Sequence, residues 1–429
     1  MQSEHTLDEK YEFTGKTKRN IGIMVIVGII AVIVGIFMVK NGGGHHEGAE
    51  VVEGAGHHGF DWMTRVWADL WINNMYFLGI SIIGVFFVAL QYVAQAGWSA
   101  GMKRVVEPFG FWLPIAFVLL VVTFFLGGHD IFHWTHEGLY NEFLENGAPN
   151  PEYDEVIAGK QGYLNTPFFL GRMVVYFAVW FGMFLLIRKR SIAEDIEGGD
   201  KNWQKTIGLS AIFIVFFGYS SSMASWDWIM SVDTHWYSTM FGWYVFASWF
   251  VSGLAAITLL VLYLKKQGYL KIVNANHLHN LGLFMWAFSI FWTYIWFSQF
   301  LLIYYANISE EAIYFIERIT SDYYFPVLLF VLIMNFFLPF FLLMTRDSKR
   351  HVIFLKIVAT IILIGHWFDF YLMITPGTLK ENGGFGLLEI GITLIYGSAF
   401  LFVILSNLAK KPLIAKNHPM MEESLHHHL

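Results

Sequence analysis

The chain has 429 residues, of which 56% are hydrophobic, 18% aromatic and 14% charged, and it has no cysteine. A soluble domain carries about 25% charged residues, so one water-facing core cannot absorb this much apolar surface and lipid must solvate much of the chain. The lack of cysteine excludes disulfides, thiolate-bound iron–sulfur clusters and covalent c-type haem, and a net charge of −6 offers nothing to nucleic acid.

A membrane-crossing helix needs about 20 mostly apolar residues. Ten such runs are predicted, at 21–39, 72–95, 110–132, 167–188, 207–226, 238–264, 278–305, 323–345, 352–375 and 385–408. The fold class is therefore an all-α polytopic membrane protein. The first run, Ile21 to Val39, carries no charge. Glu4, Asp8, Glu9 and Glu12 precede it and no small-residue cleavage site follows, so it reads as a retained anchor rather than a signal peptide. The chain then divides into a tail (1–20), an anchor helix (21–39), a linker (40–71), a nine-helix membrane domain (72–408) and a second tail (409–429). The linker contains the pairs His45–His46 and His57–His58, a pattern shared by metal sites and by plain Gly/His/Glu linkers. His426–His428 at the end is uninformative. One long loop, His133 to Thr166, follows the third run and reads as a surface cap.

Lys and Arg set orientation. With the N-terminus inside, 21 of the 27 fall in inside segments and 6 outside, which makes both termini cytoplasmic. Carboxylates run the other way, 12 inside and 21 toward the outer side. That acidic side suits a basic neighbour, or is a solvated set of loops.

Ionisable side chains within a membrane are costly and mark functional candidates. Three groups stand out, all in the outer half. The first is Gly127-Gly128-His129-Asp130-Ile131-Phe132-His133, whose two histidines share a helical face. It suits metal binding, proton relay or a solvated helix end. The second runs from Ser225 through Asp227, Asp233 and His235 to Trp236, with tryptophans interleaved as in an interfacial belt. The third and deepest is His366-Trp367-Phe368-Asp369-Phe370-Tyr371. Here His366 and Asp369 are three apart, so they face one side. A carboxylate beside an imidazole can accept and pass a proton; a structural His–Asp tie has the same spacing. Glu389 and Gln299 add polar groups near outer ends, and Arg172 is the evident counter-ion for the acids. His366 is the one histidine well inside a run, which argues against a b-type haem with two axial histidines. No phosphate-cradling loop appears, which excludes ATP-driven transport by this chain alone. A substrate entering through lipid fits better, and a quinol is one: aromatic walls take the ring and an acid or histidine takes the proton.

Three stretches resemble the membrane subunits of alternative complex III, a bacterial quinol:electron-acceptor oxidoreductase. They are Ser225-Trp226-Asp227-Trp228-Ile229-Met230-Ser231 with Asp233 to Thr239, Trp296 to Asn307 with Glu310-Glu311, and His366 to Tyr371 with Pro376-Gly377. Length and span number suit the F-type subunit. These subunits in turn resemble the NrfD/PsrC-like membrane subunits of polysulfide-reductase-like enzymes.

The resemblance implies two four-helix bundles plus peripheral helices, in a bacterial inner membrane. It implies a quinol substrate, menaquinol or ubiquinol, with iron–sulfur clusters and haem c on partner subunits. Electrons would pass toward cytochrome c or a terminal oxidase, and the related C subunit is the better candidate for the quinol site. Within this chain the proton-relay candidates are His366, Asp369, Asp227, Asp233, His235 and Glu389. His129, Asp130, Arg172 and Gln299 are candidates for a quinol pocket or an outer polar cluster. The rival readings are a purely structural subunit of that complex and an independent secondary transporter. Transporters place broken helices and ion sites near the midplane, where this chain has few ionisable groups.

Overall fold

The computed structural model describes residues 8–42, 62–144 and 146–428. The His45–His46 and His57–His58 pairs lie outside the described residues. Ten helices are long and apolar enough to cross a membrane, and no strand forms among the described residues. They are α1 (Gly15–Gly42), α2 (Trp62–Val93), α3 (Lys103–Ile131), α4 (Thr166–Glu197), α5 (Asp200–Trp228), α6 (Phe241–Lys266), α7 (Ala275–Ala306), α8 (Tyr324–Leu342), α9 (Val352–Leu379) and α10 (Leu387–Leu408). The protein is an all-α, multi-pass integral membrane protein.

Several helices extend past the apolar runs, because charged residues at their ends find partners. α2 begins at Trp62, ahead of position 72, and carries Arg65 and Asp69 in its first two turns. Arg65 pairs with Glu389 at 2.6 Å, and Asp69 accepts from Asn73. Hydropathy counts these charges against a helix; a partner offsets part of that cost.

Neighbouring spans pack as two sets. Helices α2 to α5 pack on one another, α6 to α9 do likewise, and the sets join where α2 meets α6 and α9 and where α5 meets α6. α2 and α6 are buried nearly all round. A helix that is apolar on every face needs such surroundings. α1 lies almost wholly outside both sets and packs chiefly on α10.

The two chain ends meet at one end of the molecule, where Leu413 N–H donates to Glu9 O at 2.8 Å. The C-terminal segment is no loose tail. Leu413, Ile414 and Ala415 are buried, and Ser424 bonds to Gly101, Trp98 and His277. Opposite this termini end lies the loop end, where residues 132–165 cover the turn after α5 through Trp134–Ser231 and Lys160–Thr234 contacts.

Candidate functional site

α9 places His366 and Asp369 one turn apart, both fully buried. Four polar groups converge on Asp369. Ser248 Oγ (2.7 Å) and Trp292 Nε1 (2.9 Å) donate to Oδ2, His366 Nδ1 lies 3.3 Å from that oxygen, and the Tyr244 hydroxyl makes a short bond to Oδ1. Three of these contacts crowd onto Oδ2 and one reaches Oδ1. Tyr244 and Ser248 come from α6, Trp292 from α7 and His366 from α9 itself. Tyr244, Ser248 and Ser252 recur every four residues and so line one face of α6.

The termini side of this cluster holds two further polar groups. His366 Nε2 has no hydrogen-bond partner, and neither has either amide atom of the buried Asn335. Asn335 sits in a π turn, Ile333–Phe337, within α8. Such turns are frequent at functional sites. Gly365 admits the amide, since a Cβ there would stand 2.1 Å from Asn335 Oδ1.

Toward the loop end the polar groups continue. A cavity of about 10 Å³, walled by Tyr244, Trp292, Tyr314, Arg318 and Asp369, adjoins the carboxylate and has room for about one water. Arg318 comes from a short helix, Ser309–Thr320, and stacks 3.4 Å over the Tyr314 ring. It donates to Leu372 O and reaches Asp233 Oδ2 at 3.4 Å. Lys380 lies 3.8 Å from Asp233 and 3.6 Å from Glu317. Side-chain exposure climbs along this series, from 0% at Asp369 to 3% at Arg318, 13% at Asp233, 31% at Glu317 and 62% at Lys380. Burial pushes the Glu317 carboxyl above its usual range, with Lys380 opposing and Asp233 adding. The series therefore runs from a dry carboxylate to water at the loop end.

The other candidates lie apart from this series. Asp227 is clamped by Arg172 through two bonds, Nε–Oδ2 at 2.7 Å and Nη2–Oδ1 at 3.0 Å. The guanidinium lies over the rings of both Tyr163 and Phe168, which meet edge to face. This is a fixed bidentate pair. His235 turns away to Asp154, at 2.5 Å. Burial raises the Asp154 carboxyl, but the Ile157 N–H and His235 outweigh it and hold it below its usual range. His129 and Asp130 are exposed at the end of α3. His129 stacks on His136 at 3.8 Å, with His133 beside them. Burial, then His136 and His235, lower the His133 imidazole. Among the described residues no group of three or more His, Asp or Glu is placed to hold a metal ion. Gln299 is buried on α7.

Glu389 belongs to a second polar group. It bonds Arg65 and caps the start of α10 by accepting from Gly386 N–H at 2.7 Å. Asp69 lies beside both, and its Oδ2 has no partner. Asn73 accepts from Trp367, and Asn74 from Tyr396, which ties α2 to α9 and α10.

A third polar group, at the termini end, has almost no counterpart in the sequence reading. Lys103 donates to Glu194 (2.8 Å) and Tyr92 (2.6 Å). Arg104 pairs with Glu107 and Asp195, and Arg188 approaches Glu107 at 3.7 Å. Lys103, Arg104, Glu107, Arg188 and Glu194 are all buried. Burial, then Lys103 and Arg104, hold the nearby His418 imidazole down at about 3.

Of the groups that touch Asp369, the sequence reading had only His366. The four-residue recurrence of Tyr244, Ser248 and Ser252 was the available signal for α6. Arg318 and Trp292 carried none, because their partners are remote in the chain. No protein-family model matches the chain, and no curated protein matches it.

Proposed function

We propose that this chain is the membrane subunit of a bacterial quinol-oxidising respiratory complex of the alternative complex III type, in which it anchors partner subunits and supplies an outer-side proton half-channel ending on Asp369. The observation that carries the half-channel is the unbroken rise in exposure from Asp369 through Arg318 and Asp233 to Lys380. The Lys and Arg distribution makes the termini end cytoplasmic and the loop end outer. The three sequence stretches support the choice of complex. Its redox groups would sit on iron–sulfur and c-haem partner subunits, in keeping with a chain that has no cysteine, and the related C subunit would hold the quinol.

The chain's own residues then have distinct tasks. Asp369 takes a proton, with His366 beside it and Ser248 and Trp292 fixing its orientation. The Tyr244 hydroxyl and one water in the adjoining cavity carry the proton outward. A guanidinium does not give up its protons in a protein and so relays nothing; Arg318 positions Asp233 through their 3.4 Å contact. Asp233 and Glu317 deliver the proton to the outer surface. Asp227 and Glu389, each held by an arginine, brace the helices around this route. None of the four quinol-pocket candidates lines the small cavity beside Asp369, which supports the half-channel over a quinol pocket there.

Purification of the chain from native membranes in mild detergent tests the assignment. Co-purifying c-haem, iron and quinol:cytochrome c activity are expected. A colourless, inactive single protein from gently handled membranes would overturn it, and substrate uptake by the chain alone in liposomes would replace it with a transporter.

A further inference from the structure

α1 meets its neighbour unevenly. Its loop-end half is packed tightly on α10. A Cβ at Gly28 would lie 2.8 Å from Ile395 and 3.0 Å from the Gly391 carbonyl, and one at Gly35 would lie 2.4 Å from Leu388 N. Its termini-end half has no such contact, for a Cβ at Gly15 or Gly22 meets nothing within 4 Å. The helices part there and leave a cavity of about 840 Å³ against α6 and α9. That is toward the upper end of the roughly 300–1,000 Å³ of small-molecule sites.

The cavity is long and polar at one end. On α10 its lining runs from Ile390 to Leu405, about 22 Å at 1.5 Å per residue. Half of a bilayer's hydrocarbon core is about 15 Å, so a chain lying in it is held straight past the midplane. Met24, Phe77, Ile80, Leu259, Leu394 and Phe400 make the walls apolar. Lys16, Thr14, Thr17, Asn20, Gln267 and the Tyr263 hydroxyl gather at the termini end. Lys18 and Arg19 lie on the same exposed turn, and Glu12 is the carboxylate of the lining. A basic, hydroxyl-rich mouth at headgroup level above an apolar shaft is the complement of an anionic lipid.

We propose that this cleft holds one diacyl phospholipid of the cytoplasmic leaflet, its anionic headgroup at Lys16 and an acyl chain laid along α10, so that lipid completes the contact between the anchor helix and the bundle. This inference is independent of the proton route. The rival occupant is an isoprenoid quinone with its ring at the far end, where Trp367 and Phe385 line the cavity and Thr393 has a buried, unpartnered hydroxyl.

Native mass spectrometry and lipid extraction on the full chain, purified in mild detergent, separate the two. One phospholipid per chain should survive purification, enriched in anionic headgroups over the bulk membrane. Ala256→Trp, which fills the shaft, should abolish retention. Lys16→Glu, at an exposed position, should lower the anionic preference by more than about five-fold, the factor for losing one surface lysine, with the protein still folded. Retention unchanged by Ala256→Trp together with a headgroup preference unchanged by Lys16→Glu would overturn the proposal. So would stoichiometric quinone in place of phospholipid, or no lipid beyond what exchanges with detergent.

Discussion

Replacing Asp369 separates a proton-carrying carboxylate from a structural one. In Asp369→Asn the remaining oxygen can stay with Ser248 and Trp292, and the new amide N–H₂ faces Tyr244, whose hydroxyl turns to accept. Three bonds lose charge assistance, at about 1 kcal/mol each. Relief from burying a charge offsets much of this, so the net cost is within about 2 kcal/mol. Asp369→Leu is harsher. Ser248 keeps Tyr244 O as acceptor (3.1 Å), and Trp292 keeps Ser248 Oγ (3.0 Å). The Tyr244 hydroxyl and His366 Nδ1 are left unpaired in a dry site, which costs about 2–6 kcal/mol for the two groups. The assay is proton movement per electron in proteoliposomes containing the complex, alongside thermal unfolding in detergent. Asp369→Asn should melt within a few degrees of the parent and lose outward proton movement at least about ten-fold, since an amide does not titrate. Asp369→Leu should fail to assemble in good yield. Unchanged proton movement in an intact Asp369→Asn complex would refute the half-channel.

Arg172→Leu leaves Asp227 as a buried charge without a partner and should cost about 3–5 kcal/mol, read as a lowered melting temperature. Arg172→Lys should recover little, because a lysine has neither the two-pronged bond nor the stacking on Tyr163 and Phe168. His418 makes docking of the C-terminal segment pH-dependent. Its imidazole is held at about 3 in the folded protein against an ordinary 6.5, so the unfolded state binds the extra proton, and stability falls as pH drops below 6.5. Between pH 7 and pH 5 the loss is about 2 kcal/mol, and His418→Asn should flatten it in unfolding titrations. Gly35→Leu drives a side chain into the Leu388 backbone and should cost about 1–3 kcal/mol. The expected sign is weaker cross-linking between α1 and α10 with the remaining nine spans unaltered.

Much of the architecture was legible in the chain, since crossing a bilayer imposes a local rule that a window of about 20 residues can satisfy. All ten expected spans have a helical counterpart. The joint orientation of His366 and Asp369 also followed from spacing alone. The helix ends were less legible. α2 starts about ten residues early because Glu389, more than 300 positions away, neutralises Arg65. Lys103, Arg104 and Arg188 were legible only as inside charges that set orientation, although Glu107, Glu194 and Asp195 hold them in a buried network.

Composition and periodicity determine which segments enter lipid and which face of a helix carries polar groups, because both depend on residues within a few turns of one another. Partner choice is different. Arg172 was identifiable as a counter-ion, but that it closes on Asp227, that Asp233 meets Arg318, and that Tyr244 and Ser248 meet Asp369 are matters of distance between helices. A carboxylate in a low-dielectric interior takes its character from whatever donor lies within about 3 Å. That donor is set by how ten helices pack, and here packing alone separates an Asp227 clamped by an arginine from an Asp369 held by Tyr244, Ser248 and Trp292.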